Sequence, residues 1–359
     1  MTSRRSFLSG LAAASLIGTQ SWAKAGGPQF LSAAADANGQ FLLCGLTDQG
    51  NVSFEIPLPA RGHAGAAHPT RAEAVVFARR PGTFALVLNC ITGEVLTRLK
   101  SQPGRHFYGH GVFSADGTRL FTTENDYDAA RGIIGVWDMT KGYKRVGEFF
   151  SGGVGPHDIK LMPDHETLVI ANGGIETHPE TGRTKLNIPV MEPNLAFIGL
   201  TGEIKQRSKL ARNLYKNSIR HLAVSGDGLV GFGMQWQGSN AQGIPLVGLV
   251  KQGGEPHFLT SHPDLTDKLN GYVGSIAFSR DGKHVAVTSP RGNIVQIYDA
   301  QSGDFVTGHN FEDVCGLASL GSGFVVTHAS GQVTELLGAG VQKYARPDLR
   351  WDNHMVEIA

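Results

Sequence analysis

Cysteine is scarce in this chain, and no short motif announces a reaction. The 359 residues hold three cysteines, Cys44, Cys90 and Cys315. They form no C-x-x-C-H haem attachment site, and no G-x-S-x-G, Walker A, H-E-x-x-H or EF-hand loop occurs. No catalytic class therefore follows from a linear motif. An excess of one charge is lacking too. There are 32 Lys and Arg against 31 Asp and Glu, a formal net charge of +1, with no basic stripe and no long like-charge run. That speaks against nucleic acid or an anionic membrane as partner. Long apolar stretches with a 3.6-residue period are missing, and nothing beyond the N-terminus approaches the length of a membrane span.

What is abundant is glycine, at 48 residues. Short apolar or alternating runs end again and again in Gly or Asp-Gly, the pattern of strands joined by tight turns, so the expected class is all-β. The N-terminus stands apart. Thr2-Ser3-Arg4-Arg5-Ser6-Phe7-Leu8 precedes an apolar stretch from Leu11 to Ile17. A small-residue site follows, at Ser21-Trp22-Ala23 or Ala23-Lys24-Ala25. Paired arginines before Phe-Leu and a moderately apolar run predict a twin-arginine export signal over residues 1–25, and hence a periplasmic protein. Substrates of that route cross the membrane folded, and one reason to use it is to load a cofactor before export. In an oxidising compartment three cysteines leave at least one thiol unpaired; a Cys44–Cys90 disulfide is open.

Internal repetition sets the architecture. The clearest unit reads GHGVFSADGTRLFTTEND, GIIGVWDMTKG, YKRVGEFFSGG from Gly109, four strands divided by turns. Similar units start near Gly155, Ile219, Tyr272 and Val314, and two more precede Gly109. The first of all lacks an inner strand, which the C-terminal WDNHMVEIA can supply, a closure that hides an edge and ties down both ends. The expectation is one seven-bladed β-propeller over residues 26–359, with six or eight blades as the structural alternative.

Aligning the seven inner strands brings one position into line. DNHMVEI, RGHAGAA, YGHGVFS, GPHDIKL, IRHLAVS, VGSIAFS and DVCGLAS carry His354, His63, His110, His157, His221, Ser275 and Cys315 at their third residue. With 14 histidines in 359 residues, five at one equivalent position is a poor match to chance. Inner strands line a propeller's channel, so these side chains should converge around the axis. Imidazole and thiolate are ligands for Zn, Cu, Fe and Ni, so a transition-metal site on His63, His110, His157, His221, His354 and Cys315 is expected, built by a subset of them or by several around a cluster or bulky ligand. The loops between second and third strands form a polar rim on the same face: Glu124, Asp126, Asn172, Glu176, His178, Arg183 and Arg291, with Arg220 and Asn353 beside ring histidines. These are candidates to orient the ligands, and Glu124, Asp126 or Glu176 to serve as oxygen ligands or bases. His68 and His106 lie close to strand starts as further candidates; His165, His257, His262, His284 and His309 read as ordinary surface residues.

The segments HFYGHGVFSADG, FTTENDYDAARGIIGVWD, GPHDIKLMPD, ANGGIETHPETGRTKLN, SIRHLAVSGDG and the terminal WDNH resemble the DUF1513 family of bacterial periplasmic proteins. The resemblance spans essentially the whole mature chain. Because the genes of that family are often found beside imelysin-like proteins, it implies an accessory role in iron or copper handling, with imelysin-type proteins as partners. The functional expectation is a periplasmic metal-binding propeller holding iron or copper. Two alternatives stay open. One is a metal-dependent oxidoreductase using the same site, similar in general layout to the copper domain of nitrous-oxide reductase. The other is a non-catalytic platform that presents its rim to another protein.

Overall fold

In the computed structural model, residues 21–78, 83–259, 263–337, 340–346 and 348–358 are described. The Arg4-Arg5 motif and the apolar run of the expected export signal lie outside them. Seven four-stranded antiparallel sheets make up the fold, so the chain is a seven-bladed β-propeller. Blade 1 orders its strands Leu349–Glu357, Phe30–Asp36, Phe41–Leu46 and Val52–Leu58. The other six are sequential in the chain. Their inner strands are Gly62–Ala67, Arg105–Phe113, Pro156–Leu161, Asn217–Val224, Ser275–Phe278 and Val314–Leu320, for blades 2 to 7.

Closure is made by the C-terminal strand, which pairs antiparallel with Phe30–Asp36 from Phe30↔Glu357 to Asp36↔Leu349. It begins two residues earlier than the WDNH segment indicated. Burial of apolar faces between blades holds the ring together. Each of the seven blade-to-blade interfaces has its own apolar cluster, including Phe30, Leu46, Val325 and Trp351 where blade 7 meets blade 1. Middle strands are packed on both faces and read as continuous apolar runs, as in the wholly buried Thr167–Asn172. Outer strands such as Ile204–Lys209 alternate toward solvent.

One repeated turn sets the spacing of the inner hairpins. In the Ser-x-Asp-Gly segments the Ser114 and Ser279 hydroxyls donate to Asp116 and Asp281 at 2.6 and 2.7 Å. The glycine that follows, Gly117 or Gly282, takes φ of +69° or +72°, which a side chain resists. Among the described residues no helix is long and apolar enough to cross a membrane. Residues Trp22–Ala25, expected inside the export signal, form a 3-10 turn whose Trp22 indole packs between blades 1 and 2 and donates to the His68 carbonyl at 2.9 Å. All three cysteines are buried and free, so Cys44 and Cys90 are not joined.

Candidate metal centre

An irregularity in the inner strands aims the histidines. Strand pairing slips beside His63, His110, His157, Arg220, Cys315 and the segment 352–354. In blade 6, which has Ser275 at this position, the pairing runs unbroken from Ser275 to Phe278. A bulge inserts an extra residue and turns local side chains out of the regular alternation. Here it swings the imidazoles onto the axis. Gly109 makes room for one of them. Its φ is +104°, and a Cβ there would stand 2.4 Å from the His63 ring.

The five imidazoles meet in the channel. Ring centroids lie 5.1 Å apart for His63–His110, 5.0 Å for His110–His157, 5.0 Å for His157–His221, 5.0 Å for His221–His354 and 4.7 Å for His354–His63. Two triads each bring three ligand nitrogens within 4.8 Å of one another: His63, His110 and His157, and His110, His221 and His354. His110 belongs to both. Nitrogens bound to one transition ion stand roughly 3.3 Å apart, given metal–nitrogen distances near 2.0–2.1 Å. To hold one ion, either triad must draw its nitrogens in from their present spacing.

The surroundings favour the ligating form of the rings. Asp158 accepts from His110 Nδ1 at 3.1 Å and is itself held by the backbone N–H groups of Ile159 and Leu222 at 2.8 and 2.9 Å. His157 Nδ1 donates to the Arg220 carbonyl at 3.0 Å. With the protons placed at Nδ1, the Nε2 lone pairs are the ones left to bind a cation. The Nε2 atoms of His110 and His354 are buried without a protein hydrogen-bond partner. Burial pushes the pKa of His157 and His354 well below the usual imidazole range, with nearby Arg220 adding to the effect at His157. His221 is lowered to about 3 by burial, against the opposing pull of Asp158. Burial alone would raise the Asp158 carboxyl, but Lys160 and His110 hold it well below the ordinary carboxylate value. The arrangement is thus a cluster of converging imidazoles, those of His157, His221 and His354 held in the neutral form by burial, with an ionised carboxylate behind it.

A cavity of about 700 Å³ adjoins the ring. Its inner end is made by Gly65, Gly111, Ile159, Leu222, Leu317 and Met355, each one or two residues past a ring position. It extends toward the Ser-x-Asp-Gly hairpins, whose Ser114, Ser225 and Ser279 line it. This face is opposite the loops expected to form the rim.

Residues 56–358 match the family described as "Protein of unknown function (DUF1513)". The chain belongs to that family. Among solved structures, this DUF1513 protein is similar to Kuenenia stuttgartiensis hydrazine synthase, with a TM-score of 0.63 and 14% identity over 86% of this chain and 90% of the other. At that identity the likeness shows a shared propeller fold. No curated protein matches the sequence.

In this DUF1513 protein the other expected site residues go elsewhere. Cys315 joins neither triad; its bulge turns the thiol toward the carbonyls of Asp352, Thr327 and Trp351, at 3.3, 3.6 and 3.8 Å. Burial pushes that thiol up to about 12, so it stays protonated. Glu124 is not on a solvated rim but fully buried within blade 3, where Arg145 clasps it at 2.6 and 3.1 Å. Asp126 pairs with Arg105 at 3.5 Å, and Arg105 and Arg145, both paired with Glu148, line a concavity of about 450 Å³ beside it. Asn172 is an internal clasp, bonded to Ser151 and Asn194. Glu176 is half-buried and His178 contacts Asp128 at 3.3 Å, both in the long segment 173–193 of blade 4. Asn125 fastens that segment by bonding His106 and the Thr177 carbonyl. Arg183 is exposed, and Arg291 lies over the Tyr272 ring. His68 caps a turn, accepting from the N–H groups of Thr70 and Arg71. Arg220 and Asn353 do touch ring strands through their carbonyls, the latter accepting from Ser275 at 2.9 Å.

The residue that the sequence reading missed is Asp158. It directly follows His157 in GPHDIKL, and its adjacency was the available signal. Two predictions follow from these placements. Asp158→Asn keeps the shape but removes the charge behind His110, and metal affinity should fall about 10–100-fold by competition titration, as for other outer-shell partners. An unchanged affinity would mean that Asp158 does not orient the ring. Glu124→Ala removes the buried partner of Arg145 and leaves it only the half-exposed Glu148, and the urea midpoint should report a loss of about 3 kcal/mol. A change under half that would show the pair to be dispensable.

Proposed function

We propose that this protein is a periplasmic metal-binding propeller, in which the axial imidazoles hold one transition-metal ion in the service of iron or copper uptake or handling. One observation carries the reading: two triads of converging imidazoles, one of them wholly buried, share His110, which an ionised carboxylate orients. Imidazole ligands suit iron, copper, nickel and zinc. The Arg4-Arg5 leader supports export in the folded state, and the family context supports iron or copper and an imelysin-type partner. His63, His110 and His157, or His110, His221 and His354, would hold the ion. A bound ion would supply Lewis acidity or redox chemistry there. The cavity on the Lys160 side has room for a small molecule, which favours a metal-dependent oxidoreductase as the second reading.

The test is direct. The protein is exported by its own leader, purified without a histidine tag and assayed by elemental mass spectrometry. Near-stoichiometric metal in the wild type, and its loss in the His110→Ala, His157→Ala double variant, is expected. Equal metal in both would refute the site. A redox wave from the loaded protein would favour the second reading, and its absence the first.

A further inference from the structure

The charges around the ring do not balance a metal ion. An imidazole coordinates a metal as a neutral ligand. Beneath them two charged side chains meet: Asp158, buried against His110, and Lys160, whose ammonium stands 3.9 Å from the Asp158 carboxylate. Their charges cancel, and Arg220 beside His157 adds no negative charge. A divalent ion in either triad would therefore keep its full +2 in a site largely shut off from solvent, which is costly in a low-dielectric interior. Three imidazoles also leave a transition ion short of a full coordination shell.

The cavity meets both shortfalls. Lys160 lines it, with a side chain 40% exposed, while Asp158 is 5% exposed and faces the ring. Through the contact of Lys160 with Asp158, and of Asp158 with His110, this wall stands one side chain away from the ring. The carboxylate of Glu357, also on the cavity wall, is taken up by the Ser319 N–H and hydroxyl.

We infer that the ring takes its metal together with a small anion, a carboxylate or inorganic oxyanion, that enters through this cavity, binds the ion's open position and pairs with the Lys160 ammonium. This rests on the metal-binding reading above. No bond is made or broken beyond coordination, and Lys160 is a positioning residue.

The experiment is a copper(II) titration of the metal-free protein in a non-coordinating buffer with perchlorate as the only anion, repeated with added formate. In the wild type, formate should raise the apparent copper affinity at least about tenfold and saturably, the effect of one unit charge a few ångströms away under interior-like screening. Lys160→Gln should reverse the pattern. It binds copper more tightly than the wild type in perchlorate, because a repelling charge is gone, and it gains far less from formate. Lys160→Arg should restore the wild-type response. A purely structural lysine would weaken binding under both conditions. Copper binding that ignores formate, or a formate gain equal in Lys160→Gln, overturns the inference and leaves the metal site standing. No copper binding with either anion overturns both.

Discussion

Replacing His110 by Ala should weaken metal binding by more than about 100-fold, beyond the 10–100-fold typical of losing an outer-shell partner. His63→Ala and His221→Ala should cost less, within about tenfold, because each leaves one whole triad. The asymmetry follows from geometry. His110 is the member common to both triads, and it alone receives the Asp158 carboxylate. Competition against a chromophoric chelator measures all three variants on one scale, and circular dichroism checks that each is folded. Equal losses at His63, His110 and His221 would show that the five imidazoles act as one diffuse cluster. A His110→Ala protein with wild-type affinity would place the metal elsewhere.

Mild acid should destabilise the metal-free protein steeply. His157, His221 and His354 have folded-state pKa values below the ordinary imidazole value, His221 at about 3. Above about pH 6.5 the folded and unfolded chains are both neutral at these sites. As pH falls below that value the unfolded chain takes up protons and the folded chain does not, so unfolding is favoured. Each such histidine costs about 1.4 kcal/mol per pH unit. The three together give a slope on the order of 4 kcal/mol per unit between about pH 6 and pH 5. His68, lowered to about 4 by burial and by Arg71, acts in the same direction. Urea midpoints at pH 7, 6 and 5 test this. A flat profile over that range would mean that the ring accepts protons freely in the folded state. A loaded ion, bound to the folded form, should offset the loss.

The blades and the ring position were legible because they rest on local patterns. Ser-x-Asp-Gly marks a turn by its own hydrogen bonds, and a histidine third in five inner strands repeats with the blade. Closure by the C-terminal strand was legible from a missing strand at the other end. What escaped depends on pairing across strands. A bulge exists only relative to the neighbouring strand, so the sequence could place Cys315 at the ring position but not show its thiol turned back onto carbonyls. Asp158 looked like the next residue of an alternating strand, whereas the slip beside His157 puts both at the site. Glu124 sat in a polar run that reads as loop, yet Arg145, from the outer strand of the same blade, draws it inside. The cavity on the opposite face escaped for the same reason. Loop polarity pointed to the rim, while the cavity lies toward the Ser-x-Asp-Gly hairpins at the other end of the inner strands.

The central claim is that imidazoles on the propeller axis bind an ion, and X-ray absorption at the edge of the loaded metal tests it most directly. The account predicts about three imidazole nitrogens near 2.0–2.1 Å, seen by the outer-ring scattering of histidine. A shell of oxygen ligands without imidazole scattering would contradict it.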